Sequence, residues 1–199
     1  MGEKPQWLIR EDASTPVLLA LALRQLLGIR PPDDIPALRG LAMRAPDAPE
    51  ASDALEAQWQ EFWNMTVEPR AHPSDVPLDL VDGFDTLIAL PATGAEELRE
   101  AIAPHADTAM EYAQAAHTRY VESVSSSGDA YRAYASAIAE FERDTGRRAH
   151  SFELNVQVLP LSQRGLWWVG ALSVVVTDGL RRDVAAFDHA LRPVIGELA

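Results

Sequence analysis

The sequence predicts an α+β fold, an antiparallel sheet centred on a C-terminal β-hairpin at about residues 151–177 and covered by several helices that include a helical hairpin. Three observations carry this. Phe152, Leu154, Val156 and Val158 alternate with Glu153, Asn155 and Gln157, the period of a half-buried strand. After a turn at LSQRG, the run LWWVGALSVVVT is apolar on both faces, which suits a central strand covered above and below. Helix signals dominate the first three quarters of the chain and strand signals its last quarter, whereas a doubly wound parallel sheet would alternate them throughout. At 199 residues and 47% apolar composition, one domain spanning 1–199 is expected.

Taken in order, Trp7 to Arg10 reads as a short strand added to the sheet. Thr15 with Pro16 opens a helix and Gly28 closes it where a left-handed C-cap is wanted. Between them only Arg24 and Gln25 are polar, so this helix needs cover on more than one side. The segment 30–49 carries five prolines and is read as an extended connection. Asp53 and Glu56 form a capping box ahead of a stripe of Leu55, Trp59, Phe62 and Thr66, with Trp63 at its edge; the stripe is read as core.

Phe84 to Leu90 is a further candidate strand. Thr93 and Glu96 cap a helix that ends before Pro104. Met110, Ala113, His117, Tyr120 and Val124 then recur at helical spacing, the serines at 125–128 make a turn, and Tyr131, Tyr134, Ile138 and Phe141 repeat the pattern. Two stripes joined by so short a turn predict an antiparallel helical hairpin. Gly146 ends its second helix, and a last helix runs from the hairpin to the C-terminus.

Charge and composition bound the function. The formal net charge is -13, and residues 51–128 hold 14 acidic against 3 basic residues. Such a field repels nucleic acid and anionic lipid, so neither is expected as a partner. No apolar run reaches the length of a membrane span and the N-terminus lacks a basic leader, so a soluble cytoplasmic protein is expected. Without cysteine there are no disulfides, thiolate metal sites or cysteine nucleophile.

No motif fixes an activity. Asp144-Thr145-Gly146 spells the aspartic protease signature but ends a helix instead of following an apolar strand, and Asn64-Met65-Thr66 is a sequon inside a helix. Neither a cofactor nor a structural metal is expected; the nearest approach to a ligand set is His105, Asp107 and Glu111, with His117 further along and on another side of the helix. The joint Thr177, Asp178, Arg181, Arg182 stands out more. Two arginines in the first turn of a helix oppose its dipole, so they call for ion pairs with Asp178, Asp183 or the acidic middle segment, or for a bound anion held by Arg181, Arg182 and the backbone amides.

The leading functional expectation is a non-catalytic interaction protein that binds a protein partner or itself. A homodimer through the apolar helix 16–27 would supply the cover that helix needs. The alternative is a small-molecule-binding enzyme, a hydrolase for instance, with a polar site near 177–183; a pocket with convergent polar groups would favour it.

Overall fold

The computed structural model describes residues 6–30, 35–44, 50–125 and 131–199. The main sheet has the order β1 (Trp7–Asp12), β4 (Phe152–Leu159), β6 (Ser173–Thr177), β5 (Leu166–Trp168). Strand β1 runs parallel to β4, with Trp7 opposite Phe152 and Asp12 opposite Gln157. Strand β4 runs parallel to β6, and only the β5–β6 pair is antiparallel. A separate antiparallel pair joins β2 (Leu78–Leu80) to β3 (Ala89–Pro91), so the strand expected at 84–90 is confined to its last residues.

The expected antiparallel sheet is therefore a mixed one, and the hairpin lies wholly inside the second apolar run. A carboxylate about a hundred residues away sits in the turn of that hairpin. Glu68 accepts hydrogen bonds from the backbone N–H groups of Ala171 at 3.0 Å and Leu172 at 2.7 Å. Gly170 makes room for it, since a Cβ there would lie 2.3 Å from the Glu68 Cδ. The run that reads as one strand is folded in two around this carboxylate, and β6 returns beside β4 in the parallel sense.

Helices cover both faces of the sheet. On one side α1 (Thr15–Leu27), α2 (Asp53–Val67), α3 (Glu96–Ile102) and α4 (Ala106–Ser125) build a core that reaches Leu159 and Val175. On the other, α5 (Arg132–Thr145) and α7 (Val184–Leu198) cover Leu154, Val156, Val174 and Val176. The helices α4 and α5, expected to pair as a hairpin, pack instead on different partners, α4 on α1 and α5 on α7. Their stripes meet different cores: Ala109, Ala113 and Ala116 belong to the first, Tyr134, Ala137 and Ile138 to the second. The serine turn at 125–128 lies, beyond Ser125, outside the described residues.

Helix α1 needs no second subunit. Every residue from Val17 to Gln25 is buried, with α2, α3 and α4 packed around the helix. Trp59 and Trp63 stack 5.6 Å apart beside it, and the Trp59 indole N–H donates to the Ala20 carbonyl at 3.0 Å, so the aromatic stripe is core. The two polar residues are buried as well, for a reason the helix alone does not reveal. Arg24 donates to the carbonyls of Ile35 and Pro36, while Gln25 donates to those of Leu38 and Leu41 and accepts from Leu38 N–H. Together with a bridge between Leu38 and Leu161, they fix the segment 35–41 as a strap across the end of the sheet. Burial pulls the Arg24 guanidinium down to about 10.

Local signals set the helix ends. Gly28 and Gly146 both take the left-handed conformation at C-caps, with φ of 68° and 65°. The N-cap of α2 is Ser52, one residue before the expected Asp53; its hydroxyl accepts from Leu55 N–H at 3.0 Å. Among the described residues no helix is long and apolar enough to cross a membrane.

Candidate functional site

The carboxyl ends of β1, β4 and β6 open into a cleft of about 650 Å³. In open sheets this is where ligands collect, because strands end there and the loops that follow diverge. Glu11 comes from the end of β1, Val158 from β4, and Asp178 directly follows β6. One wall is α4, whose Tyr112, Ala116, Arg119, Tyr120 and Val124 fall on one face by their spacing of three and four. The other wall is the joint of α6 (Asp178–Arg181) with α7, and the strap adds Arg39 and Gly40 at the rim.

The joint differs from its sequence reading in one respect that changes the electrostatics. The expected single C-terminal helix is broken at Arg182–Asp183 into α6 and α7, and Asp183 caps α7 by accepting from Ala186 N–H at 3.2 Å. Arg181 thus ends a four-residue helix and does not begin a long one, so the conflict with the dipole disappears. An anion site on the amides of a long helix start has no basis here. What remains is the side chains.

Those side chains form two clusters. In the deeper one, Arg181 Nε lies 2.6 Å from Glu11 Oε2, with side-chain exposures of 14% and 7%. The Tyr134 hydroxyl donates to the same oxygen, and the Arg181 guanidinium lies 4.8 Å over the Phe187 ring. Burial, and then the charge of Glu11, push the Tyr134 and Tyr120 hydroxyls far above their ordinary range, so both stay protonated beside it. In the outer cluster, Asp178 sits between two arginines, 2.6 Å from Arg39 and 3.6 Å from Arg182. The Tyr112 hydroxyl donates to the Arg39 carbonyl at 2.7 Å. Burial raises Tyr112 too, while the positive charges of Arg119 and Arg39 oppose that rise.

Of the residues singled out at the joint, Asp178, Arg181 and Arg182 line the cleft and Thr177 does not. Its hydroxyl donates to the Gln163 carbonyl at 2.6 Å and accepts from Gly165 N–H at 3.0 Å, closing the β5 end of the sheet. Asp183 pairs with Arg164 at 2.6 Å. His105, Asp107 and Glu111 assemble nothing: no group of three or more metal-binding side chains comes together among the described residues. His117 is tied through Nδ1 to the Ala13 carbonyl at 2.8 Å.

Sequence reasoning missed Glu11, Arg39, Tyr112 and Arg119. The α4 residues carried a signal in their spacing; Glu11 and Arg39 carried none, because only the fold brings a strand end and a proline-rich segment to the joint.

The balance of charge is the cleft's main chemical property. Among the described residues Arg39, Arg119, Arg181 and Arg182 face Glu11 and Asp178, four cations against two anions, in a chain whose net charge is -13. Arg119 is exposed and makes no ion pair or hydrogen bond among the described residues. Among the described residues, Ser123 on the wall donates to the Tyr120 carbonyl, and no histidine lines the cleft. The arrangement can hold an anion, and its described residues offer no nucleophile with a base beside it. Comparison with protein-family models, curated proteins and solved structures finds no match to this chain.

Proposed function

We propose that the protein is a small-molecule-binding protein whose cleft at the carboxyl ends of β1, β4 and β6 takes an anionic ligand. The observation that supports this is the local excess of arginine over carboxylate in a cavity of about 650 Å³, within a protein that is otherwise strongly acidic. A concave site with low-dielectric walls focuses the field of its own charges, so an anion is attracted inside even though the molecule as a whole repels it. Among the described residues Arg119 makes no ion pair, and Arg39 and Arg182 share Asp178 as an internal counterion. An interaction protein would make contact through its acidic face or through α1, and α1 is enclosed by its own chain. A homodimer or a protein partner would have to use another surface.

Isothermal titration with small carboxylates and inorganic phosphate tests the proposal. Arg119→Gln should abolish or weaken binding, and Asp178→Asn, which removes the internal counterion of Arg39 and Arg182, should strengthen it. Binding that is indifferent to both substitutions, or absent altogether, would remove the cleft as the site.

A further inference from the structure

The lining of the cleft is part charged and part apolar, and that mixture selects among anions. Arg39 and Arg182 flank Asp178, and Arg119 of α4 lies near enough to Tyr112 for its charge to oppose the rise of that hydroxyl. Val124 of α4 and Val184 of α7 line the same cleft, 37% and 44% exposed, together with the buried Val158. Along α4 the distance from Tyr112 to Val124 is about 18 Å at 1.5 Å per residue. The deeper charges, Glu11 and Arg181, are paired with each other.

We infer that the ligand is an amphipathic monoanion, a carboxylate head held by Arg119, Arg39 and Arg182 with an apolar body laid toward Val124 and Val184. This rests on the anion-binding reading above. Charge sets the head: an excess of two arginines matches a ligand of low charge, and a polyphosphate or tricarboxylate would meet the repulsion of a molecule at -13 with too few cations to offset it. Geometry sets the body. Two exposed valines in the lining of one cleft lose water when something apolar lies against them. A guanidinium binds a carboxylate in bidentate fashion, which fixes the direction in which the body leaves the head.

Four probes at constant ionic strength decide it by calorimetry on the full chain: decanoate, decanol with the same body and no charge, citrate with charge and no body, and inorganic phosphate. Decanoate should bind at least about tenfold more tightly than the other three. Arg119→Gln should weaken decanoate by about tenfold, and Val184→Ser, which removes apolar surface without adding charge, should weaken it while leaving citrate unaffected. If citrate or phosphate binds as tightly as decanoate in an Arg119-dependent manner, the amphipathic inference fails and the anion site stands. Decanol binding as well as decanoate also overturns the inference. If no probe binds, or none responds to Arg119→Gln, both readings fall together.

Discussion

Arg181 Nε lies 2.6 Å from Glu11 Oε2, a contact that ties the strand nearest the N-terminus to the helix that follows the last strand. The pair is nearly dry, stacked on Phe187 and hydrogen-bonded to Tyr134, so each charge depends on the other for its solvation. Glu11→Gln or Arg181→Gln alone should each cost about 3–5 kcal/mol, because each strands a buried charge. The double substitution should cost clearly less than the two together. Additive losses in urea unfolding would mean that the two charges do not compensate each other.

Alkaline pH should unfold the protein through its buried tyrosines. Tyr134 has a folded-state pKa raised above the ordinary 10.0, by burial first and then by Glu11. Its proton is therefore held more tightly in the folded state than in the unfolded one. The stabilisation is complete below pH 10 and declines as the pH rises above it, by about 1.4 kcal/mol per pH unit for one such group. Tyr134→Phe should start from lower stability at neutral pH, yet lose stability less steeply above pH 10.

The turn between β5 and β6 makes a sharper case. Gly170 has no positive φ, so the backbone would accept alanine, and only the Glu68 carboxylate stands in the way. Gly170→Ala should destabilise by about 1–3 kcal/mol by displacing the acceptor of two backbone N–H groups. In a Glu68→Ala background the same change should cost almost nothing. A double-mutant cycle with no coupling would show that Glu68 does not shape this turn.

Gln25 links stability to ligand binding. Gln25→Leu leaves Leu38 N–H and the carbonyls of Leu38 and Leu41 without their partner, at about 1–3 kcal/mol for each group that stays buried. The same change frees the strap that carries Arg39 to the cleft, so anion affinity should fall although Gln25 touches no ligand. Unchanged affinity in a folded Gln25→Leu variant would separate the strap from the site.

Much of the local structure was legible. The alternation of 152–158 marks β4, the glycines at 28 and 146 end their helices, and Trp7 begins a strand. What escaped were relations between distant segments. An all-apolar run says that a strand is buried, but not which way it runs, and the turn within 166–177 is met by the distant Glu68. The sequence of α1 is apolar around most of its circumference and calls for cover on more than one side; that three helices of the same chain supply it is a fact of tertiary packing. The cleft was half visible, through Asp178, Arg181 and Arg182, because those residues are adjacent in sequence. Most of the remainder, Glu11, the strap and α4, comes from residues more than fifty positions away.

The parallel pairing of β1 with β4 also sets a timetable. About 145 residues separate the two strands, as the bond from Gln6 N–H to Ser151 Oγ measures. At ribosomal rates of roughly 5–20 residues per second, β1 waits on the order of ten seconds for its partner to be made. The core of α1 to α4, drawn almost wholly from residues 13–116, can close in that interval. The second core cannot, since its strands β4 and β6 and its helices α5 and α7 all lie beyond residue 131. Assembly during synthesis is thus expected to run vectorially, with one face of the future sheet prepared before most of the sheet exists. The arginine-lined cleft, which needs Glu11 from the first strand and Asp178 after the last, is among the final features to form.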